Sequence, residues 1–149
     1  MRRLLLRVRD DRGTAVLEMT LVLPILLVLM FSMVILGIAI NSKIAVSMAA
    51  REAGRYYAVH NADIDVDAAT RQKAEDCLKG SITASSTEFA RSFNRYTDVA
   101  INRTPDNQYV TVTVTYHQST MVPGLLTLIG GQSWGSSFTL TSSATFKLE

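Results

Sequence analysis

The sequence has one cysteine, Cys77, and three prolines in 149 residues. A single thiol cannot form an internal disulfide, which excludes a small secreted domain held together by disulfides and a cysteine-rich zinc module. We therefore expect Cys77 to be a small, buried apolar residue. The length corresponds to about one compact domain.

The sequence also has little net charge, because its 15 basic side chains nearly balance 13 acidic ones. This balance argues against a polyanionic partner such as nucleic acid. The positive excess lies within residues 1–18, which hold the arginines Arg2, Arg3, Arg7, Arg9 and Arg12. A positive cluster ahead of one long apolar run is typical of a membrane protein.

Patterns that bind metals or catalyse reactions are missing from the sequence. His60 and His117 have no sequence-adjacent carboxylate or cysteine. Residues 63–67 resemble the start of a calcium loop, but Ala68 and Ala74 stand where that loop needs glycine and glutamate. We expect no metal or cofactor, and we do not expect an enzyme, since no nucleophile and base are paired.

The longest apolar run extends from Met19 to Ile40 without a charge. As a helix it measures about 33 Å, and the hydrocarbon core of a bilayer is about 30 Å thick. A cleavable secretory signal has a shorter core that ends in small residues, so the run favours a membrane span over a removed signal. The arginines before it place residues 1–18 in the cytoplasm and residues 43–149 on the other side.

Helical patterns continue after the span. The alanine-rich stretch 43–59 has no proline, which predicts one helix of about forty residues up to Val59. Asp65 or Asp67 could cap a second helix that runs to about Lys79 and stops at Gly80. Its core side would carry Ala74, Cys77 and Leu78. A short third helix is expected over Thr87–Tyr96, with Phe89, Phe93 and Tyr96 on one side.

The remaining sequence alternates as strands do. Val99 and Ile101 alternate with polar residues, and Pro105-Asp106-Asn107 supplies a turn. The stretch Tyr109–Tyr116 then alternates valine with threonine, and Phe138–Glu149 alternates again. These patterns predict an α+β fold: a long N-terminal helix, one or two further helices and a three-stranded antiparallel sheet. Leu125–Ile129 is either a helical turn packed on the sheet or an exposed contact patch, and Trp134 is either a core plug or a contact residue.

The residues before the span form a short motif around Gly13 and Glu18. A carboxylate at the mouth of a span is costly inside an apolar assembly unless a cation pairs with it. If the chain were cut after Gly13, the new amino terminus at Thr14 would be such a cation, and a neighbouring subunit could present it to Glu18.

The residues Arg12, Gly13, Glu18, Leu21-Val22-Leu23-Pro24 and Ala49–Tyr56 together resemble the TadE-like minor pilins, or pseudopilins, of the tight-adherence (Tad, Flp) pilus. The resemblance covers residues 12–58. It implies a prepilin peptidase that cuts between Gly13 and Thr14, and partners among other Tad pilins and the inner-membrane assembly platform. It also implies a leader over residues 1–13, a transmembrane helix over 14–42 and a domain over 43–149 outside the bacterial inner membrane.

Two further features allow a structural and a functional interpretation. Pro24 is either a tolerated kink or a point where the helix can melt when a subunit leaves the bilayer. Arg51, Glu52 and Arg55 are either a solvated group with an intrahelical pair or subunit contacts beside a flat surface. That surface would consist of Ala45, Ala49, Ala53 and Gly54.

Two hypotheses about the function follow, one for a structural subunit and one for a binding protein. The first is a minor pilin that is cut after Gly13 and assembles through its long helix, with a role in adhesion or secretion that only the resemblance implies. The second is an uncut bitopic module whose small domain binds or senses a ligand.

Overall fold

The structure is a computed structural model that describes residues 11–82, 86–119 and 137–148. Its elements are three helices and three strands in the order ααα–βββ. The expectations for Leu125–Ile129, for Trp134 and for the arginines up to Arg9 lie outside the described residues. Within the described ranges the chain is α+β, as the sequence predicts.

Helix α1 spans Asp11–Val59 and contains Pro24. The predicted continuation of the apolar helix to Val59 is therefore confirmed. The stretch 43–59 is rich in alanine, the residue with the highest helix propensity, and contains no proline. Helix propensity therefore favours continuation of α1 to Val59. The helix begins earlier than the apolar run, so Gly13, Thr14 and Glu18 are helical too.

The chain divides into two compact units. The described part of the first unit is residues 11–36, which are helical throughout. The second unit holds the rest of α1 from Gly37, helices α2 and α3 and all strands. Its hydrophobic core lies between the helices and one face of the sheet.

The sheet is antiparallel in the order β1-β2-β3, with β1 at Val99–Arg103, β2 at Tyr109–Ser119 and β3 at Ser137–Lys147. The central strand buries Val110, Val112, Val114 and Tyr116, as the alternation predicts. The opposite face is a threonine surface, on which the hydroxyls of Thr111 and Thr145 lie 2.9 Å apart. One face of the sheet is therefore apolar and covered, and the other is polar.

Helix α1 covers the apolar face of the sheet with its smallest residues. Ala45, Ala49, Ala50 and Ala53 are all buried, together with the larger Val46 and Tyr57. Small side chains allow the helix backbone to approach the sheet closely, as it does where Gly54 lies against Phe146 of β3.

Helix α2 spans Val66–Ser81 and buries Ala74 and Leu78 as expected. Asp65 occupies the N-cap position, but its side chain makes no capping hydrogen bond. The predicted stop at Gly80 is wrong, because the helix includes Gly80 and ends with Ile82 at the C-cap. Ile82 is buried in the core, and this burial favours continuing the helix past the glycine.

Helix α3 is shorter than predicted, at Ser86–Ser92. Phe89 and Phe93 are buried, with ring centroids 5.5 Å apart. The Tyr96 side chain, in contrast, is 66% exposed. The helix ends before it, and the side chains of Asn94 and Asp98 accept hydrogen bonds from the backbone N–H groups of Tyr96 and Asn94 instead.

Candidate functional site: the long helix

The apolar half of α1 is exposed in the described part of the chain. By length and composition this helix could cross a membrane, and none of its most apolar stretch is buried within the described residues. A core helix of a globular domain would bury this surface. A helix that exposes an apolar face of this size needs lipid or other apolar helices around it.

Gly13, Thr14 and Glu18 lie on the exposed N-terminal part of this helix. A Cβ atom on Gly13 would meet nothing within 4 Å, so the backbone there is accessible from outside. Thr14 and Glu18 are four residues apart, which puts them on one side of the helix about 6 Å apart along its axis. Within the described residues, Glu18 forms no salt bridge or side-chain hydrogen bond.

Pro24 stands inside an unbroken helix. A proline has no N–H, so the carbonyl of Thr20 lacks its usual helical donor. The Thr20 hydroxyl does not replace that donor, because it donates to the carbonyl of Val16 at 2.7 Å. The helix therefore lacks one backbone hydrogen bond, at the carbonyl of Thr20, which is two residues after Glu18.

Arg51, Glu52 and Arg55 are exposed on the post-span part of α1. The proposed intrahelical pair is not formed, since no salt bridge joins Glu52 to Arg55 among the described residues. Arg51 and Arg55 lie opposite the face that covers the sheet, whereas Glu52 is close enough to α2 for its charge to act on Cys77.

The flat surface that the sequence suggested for subunit contacts is instead used inside the chain. Ala45, Ala49 and Ala53 are at most 2% exposed, and Gly54 faces the ring of Phe146 on β3. The spacing of small residues correctly indicated a close helix contact. It could not indicate that the contact is made with the chain's own sheet rather than with a neighbour.

Polar contacts fix α1 against the sheet at two levels. Just after the apolar run, the Ser42 hydroxyl donates to Gln118 Oε1 at 2.6 Å, and Lys43 donates to the carbonyl of Thr141. Near the C-terminal end of α1, Arg103 donates to the Tyr57 hydroxyl, and the guanidinium carbon of Arg103 lies 4.9 Å from the centroid of the Tyr57 ring. Sequence reasoning missed these contacts, because the partners of each pair are at least 46 residues apart.

Three buried or half-buried groups have perturbed pKa values. Burial raises the pKa of the Tyr57 and Tyr116 phenols above 10.0, and for Tyr57 the hydrogen bond from Arg103 partly opposes this. Burial, followed by the charge of Glu52, raises the pKa of the Cys77 thiol above 9.0. Cys77 packs against the core as a half-buried side chain and is a weak nucleophile there.

A groove of about 440 Å³ opens between α2 and the segment around α3. Glu75 lines it and forms salt bridges with Lys79 at 2.6 Å and with Arg95 at 3.4 Å. Phe89, Phe93 and Tyr96 supply aromatic surface. Sequence reasoning did not identify this groove, since its residues come from two elements that meet only in the fold.

The two histidines have different surroundings. His117 lies 3.8 Å from Asp98, and His60 stacks on Tyr56 with ring centroids 4.3 Å apart. Residues 11–82, 86–119 and 137–148 contain no cluster of three metal-binding side chains.

Within the described residues, these features are those of an α+β chain with one helix long and apolar enough to cross a membrane, and the later part of that helix covers the sheet of a small domain. Residues 13–55 match the family model described as TadE-like protein. The resemblance to TadE-like proteins is thereby confirmed over the residues around Gly13 and Glu18, the apolar run and most of the alanine-rich segment, and it connects the chain with Tad pilus systems. Neither the curated proteins nor the solved structures contain a match to the chain.

Proposed function

We propose that this chain is a minor pilin, or pseudopilin, of a tight-adherence type IV pilus. A prepilin peptidase cuts it after Gly13, and the long helix then enters an assembly with other Tad pilins at the inner-membrane platform. It acts as a structural subunit in pilus assembly, with adhesion or secretion as the outcome, and not as an enzyme.

One observation carries the proposal: Glu18 has no partner within the described residues and stands at the start of an exposed apolar helix, five residues after an accessible glycine. In the bilayer interface, water and lipid head groups can solvate this carboxylate. In a bundle of apolar helices they cannot, so a partner charge is required. A Thr14 amino terminus on a neighbouring subunit supplies that charge once the leader is removed.

The arginines before the span support a cytoplasmic N-terminus, since positive residues flank spans on that side. Cleavage after Gly13 then takes place at the cytoplasmic face. The domain after residue 43 lies in the periplasm or outside the cell.

The exposed side of the post-span helix supports a specific contact surface. Ile44, Met48, Arg51 and Arg55 recur every three or four residues, so they lie along one side of α1, and all four are exposed. This side replaces the alanine surface as the part of α1 that contacts other subunits. Its arginines add charge selectivity to an apolar contact.

The test compares wild type with Glu18→Ala and Glu18→Gln in a host that contains its own Tad system. Processing, membrane level and pilus assembly are scored separately by mass spectrometry, by membrane fractionation and by counting pili. We expect both variants to be cut and inserted normally but to assemble poorly, because neither can neutralise a neighbouring amino terminus.

Asp106→Ala is the matched control, since it removes an exposed carboxylate from the turn between β1 and β2, outside the long helix. A defect in the alanine variant alone would indicate a hydrogen bond rather than an ion pair. Normal piliation with both variants would remove the assembly role of Glu18.

The groove at Glu75 and Tyr96 favours the second candidate, an uncut bitopic module that binds a ligand there. That module would keep its leader and would tolerate both Glu18 variants. Detection of Met1 in protein recovered from a host with its cognate peptidase would favour it over the pilin.

A further inference from the structure

The groove between α2 and the segment around α3 combines aromatic surface with two cations. Phe89 and Phe93 are buried at its base, and Tyr96 is exposed. Lys79 Nζ lies 5.8 Å from the centroid of the Phe89 ring. The guanidinium carbon of Arg95 lies 5.3 Å from the centroid of the Tyr96 ring. Aromatic rings accept an apolar side chain, and the cations beside them attract negative charge.

The cations of the groove outnumber its acids among the described lining residues. Glu75 is shared between Lys79 at 2.6 Å and Arg95 at 3.4 Å. Both cations are more exposed than Glu75, so a group that enters the groove meets positive charge before it meets the carboxylate. The groove therefore suits an apolar side chain that is accompanied by acidic groups.

The turn between α1 and α2 presents such a combination. Ile64 is fully exposed, and the exposed Asp63 and Asp65 stand on either side of it. The backbone of the turn is held in place, because the N–H of Asp63 donates to the carbonyl of His60 at 3.0 Å. Within the described ranges neither carboxylate forms a salt bridge. An apolar side chain between two acidic groups is thus available for a contact.

The turn and the groove of one copy do not meet. The turn precedes Val66, where α2 begins, and Glu75 is about 14 Å further along that helix. The full exposure of Ile64 shows that the groove of its own chain does not hold it. The turn of one copy can therefore reach this groove only in another copy.

We propose that Ile64 of one copy inserts into the α2–α3 groove of a second copy, where Asp63 and Asp65 face Lys79 and Arg95. The turn and the groove are different surfaces, so the contact is heterologous and can repeat from copy to copy. It uses only residues of the small domain and does not depend on cleavage of the leader. It gives the groove a protein occupant in place of the ligand of a bitopic module.

The experiment cross-links two populations of the full chain in detergent, distinguished by different tags. Cys77→Ser provides a cysteine-free background. One population carries Ala62→Cys, in the turn beside Ile64, and the other carries Ala90→Cys, in the groove. Ala100→Cys replaces Ala62→Cys in the control, since Ala100 is an exposed alanine on β1. A short bismaleimide joins cysteines that lie close together.

We expect cross-linked dimers of Ala62→Cys with Ala90→Cys to be at least threefold more abundant than those of Ala100→Cys with Ala90→Cys. Adding Ile64→Ser to the Ala62→Cys copy should reduce the yield to that of the control. Equal yields from Ala62→Cys and Ala100→Cys overturn the contact, and so does a yield that Ile64→Ser leaves unchanged.

A second pair of variants tests whether the turn docks in the groove. Tyr96→Ala in the Ala90→Cys copy should lower the yield, whereas Tyr109→Ala, which removes an exposed tyrosine of β2, should not. Equal effects of the two variants would place the turn elsewhere and overturn the proposal. The outcome is separate from the test at Glu18, because none of these substitutions lies in α1.

Discussion

A Cβ atom placed on Gly54 would lie 2.6 Å from Cδ2 and 2.7 Å from Cε2 of Phe146. The helix that continues from the span thus approaches strand β3 so closely that only a hydrogen atom fits between the backbone and the aromatic ring. The approach needs no special backbone conformation at Gly54, which lies in an ordinary helix. The glycine is required by packing alone.

We predict that Gly54→Ala destabilises the protein although alanine is the better helix former. The gain in helix propensity is about 1 kcal/mol, whereas overpacking costs about 1–3 kcal/mol. Gly80→Ala is the matched control, because a Cβ there meets nothing within 4 Å, and it should be neutral or stabilising. Urea unfolding of the full chain in detergent measures both, and equal effects would contradict the packing argument.

Gly13→Leu should leave the leader attached, because a bulky side chain at the cut site blocks access to the backbone. Wild type should lose its first 13 residues and begin at Thr14, as read from the intact mass of the membrane protein. Gly37→Leu controls for placing leucine on an equally open position of the same helix. A cut Gly13→Leu protein would show that the glycine does not define the site.

Removing the Ser42 hydroxyl should weaken the junction between the span and the sheet. Ser42→Ala leaves the buried Gln118 carbonyl oxygen without its donor, at a cost of about 1–3 kcal/mol in the free energy of unfolding. Ser32→Ala should have little effect, since that hydroxyl bonds to a carbonyl within its own helix. Adding Gln118→Leu to Ser42→Ala should recover part of the loss, and additive losses would contradict the coupling.

Stability should fall at alkaline pH because burial raises the pKa of Tyr57 and Tyr116. Below about pH 10 both phenols are protonated in the folded and unfolded states, so their stabilising contribution is complete. As pH rises through the folded pKa values, the unfolded chain has already released its protons, and the free energy of unfolding decreases. Tyr116→Phe should reduce this pH dependence, and Tyr109→Phe controls for the loss of an exposed hydroxyl. An unchanged slope in Tyr116→Phe would contradict the role of burial.

The local patterns of the sequence determined much of this protein. The uncharged run Met19–Ile40, the alternation of Tyr109–Tyr116 and the arginines before the span each depend on neighbouring residues, so the span, the strand and the expected orientation could be derived without a fold. The motif of Gly13 and Glu18 is local as well. The resemblance over residues 12–58 depends on that stretch, and the family model matches residues 13–55 within it.

The tertiary structure decided what each exposed or small residue is used for. Ala49, Ala53 and Gly54 could pack against a neighbour or against the chain itself, and only the position of β3 shows that they pack on the chain's own sheet. Helix α2 continues past Gly80 because burial of Ile82 outweighs the preference of glycine for ending a helix. The bond between Ser42 and Gln118 joins residues 76 positions apart. No local pattern encodes such a pairing, because it arises only when the helix and the sheet enclose one core.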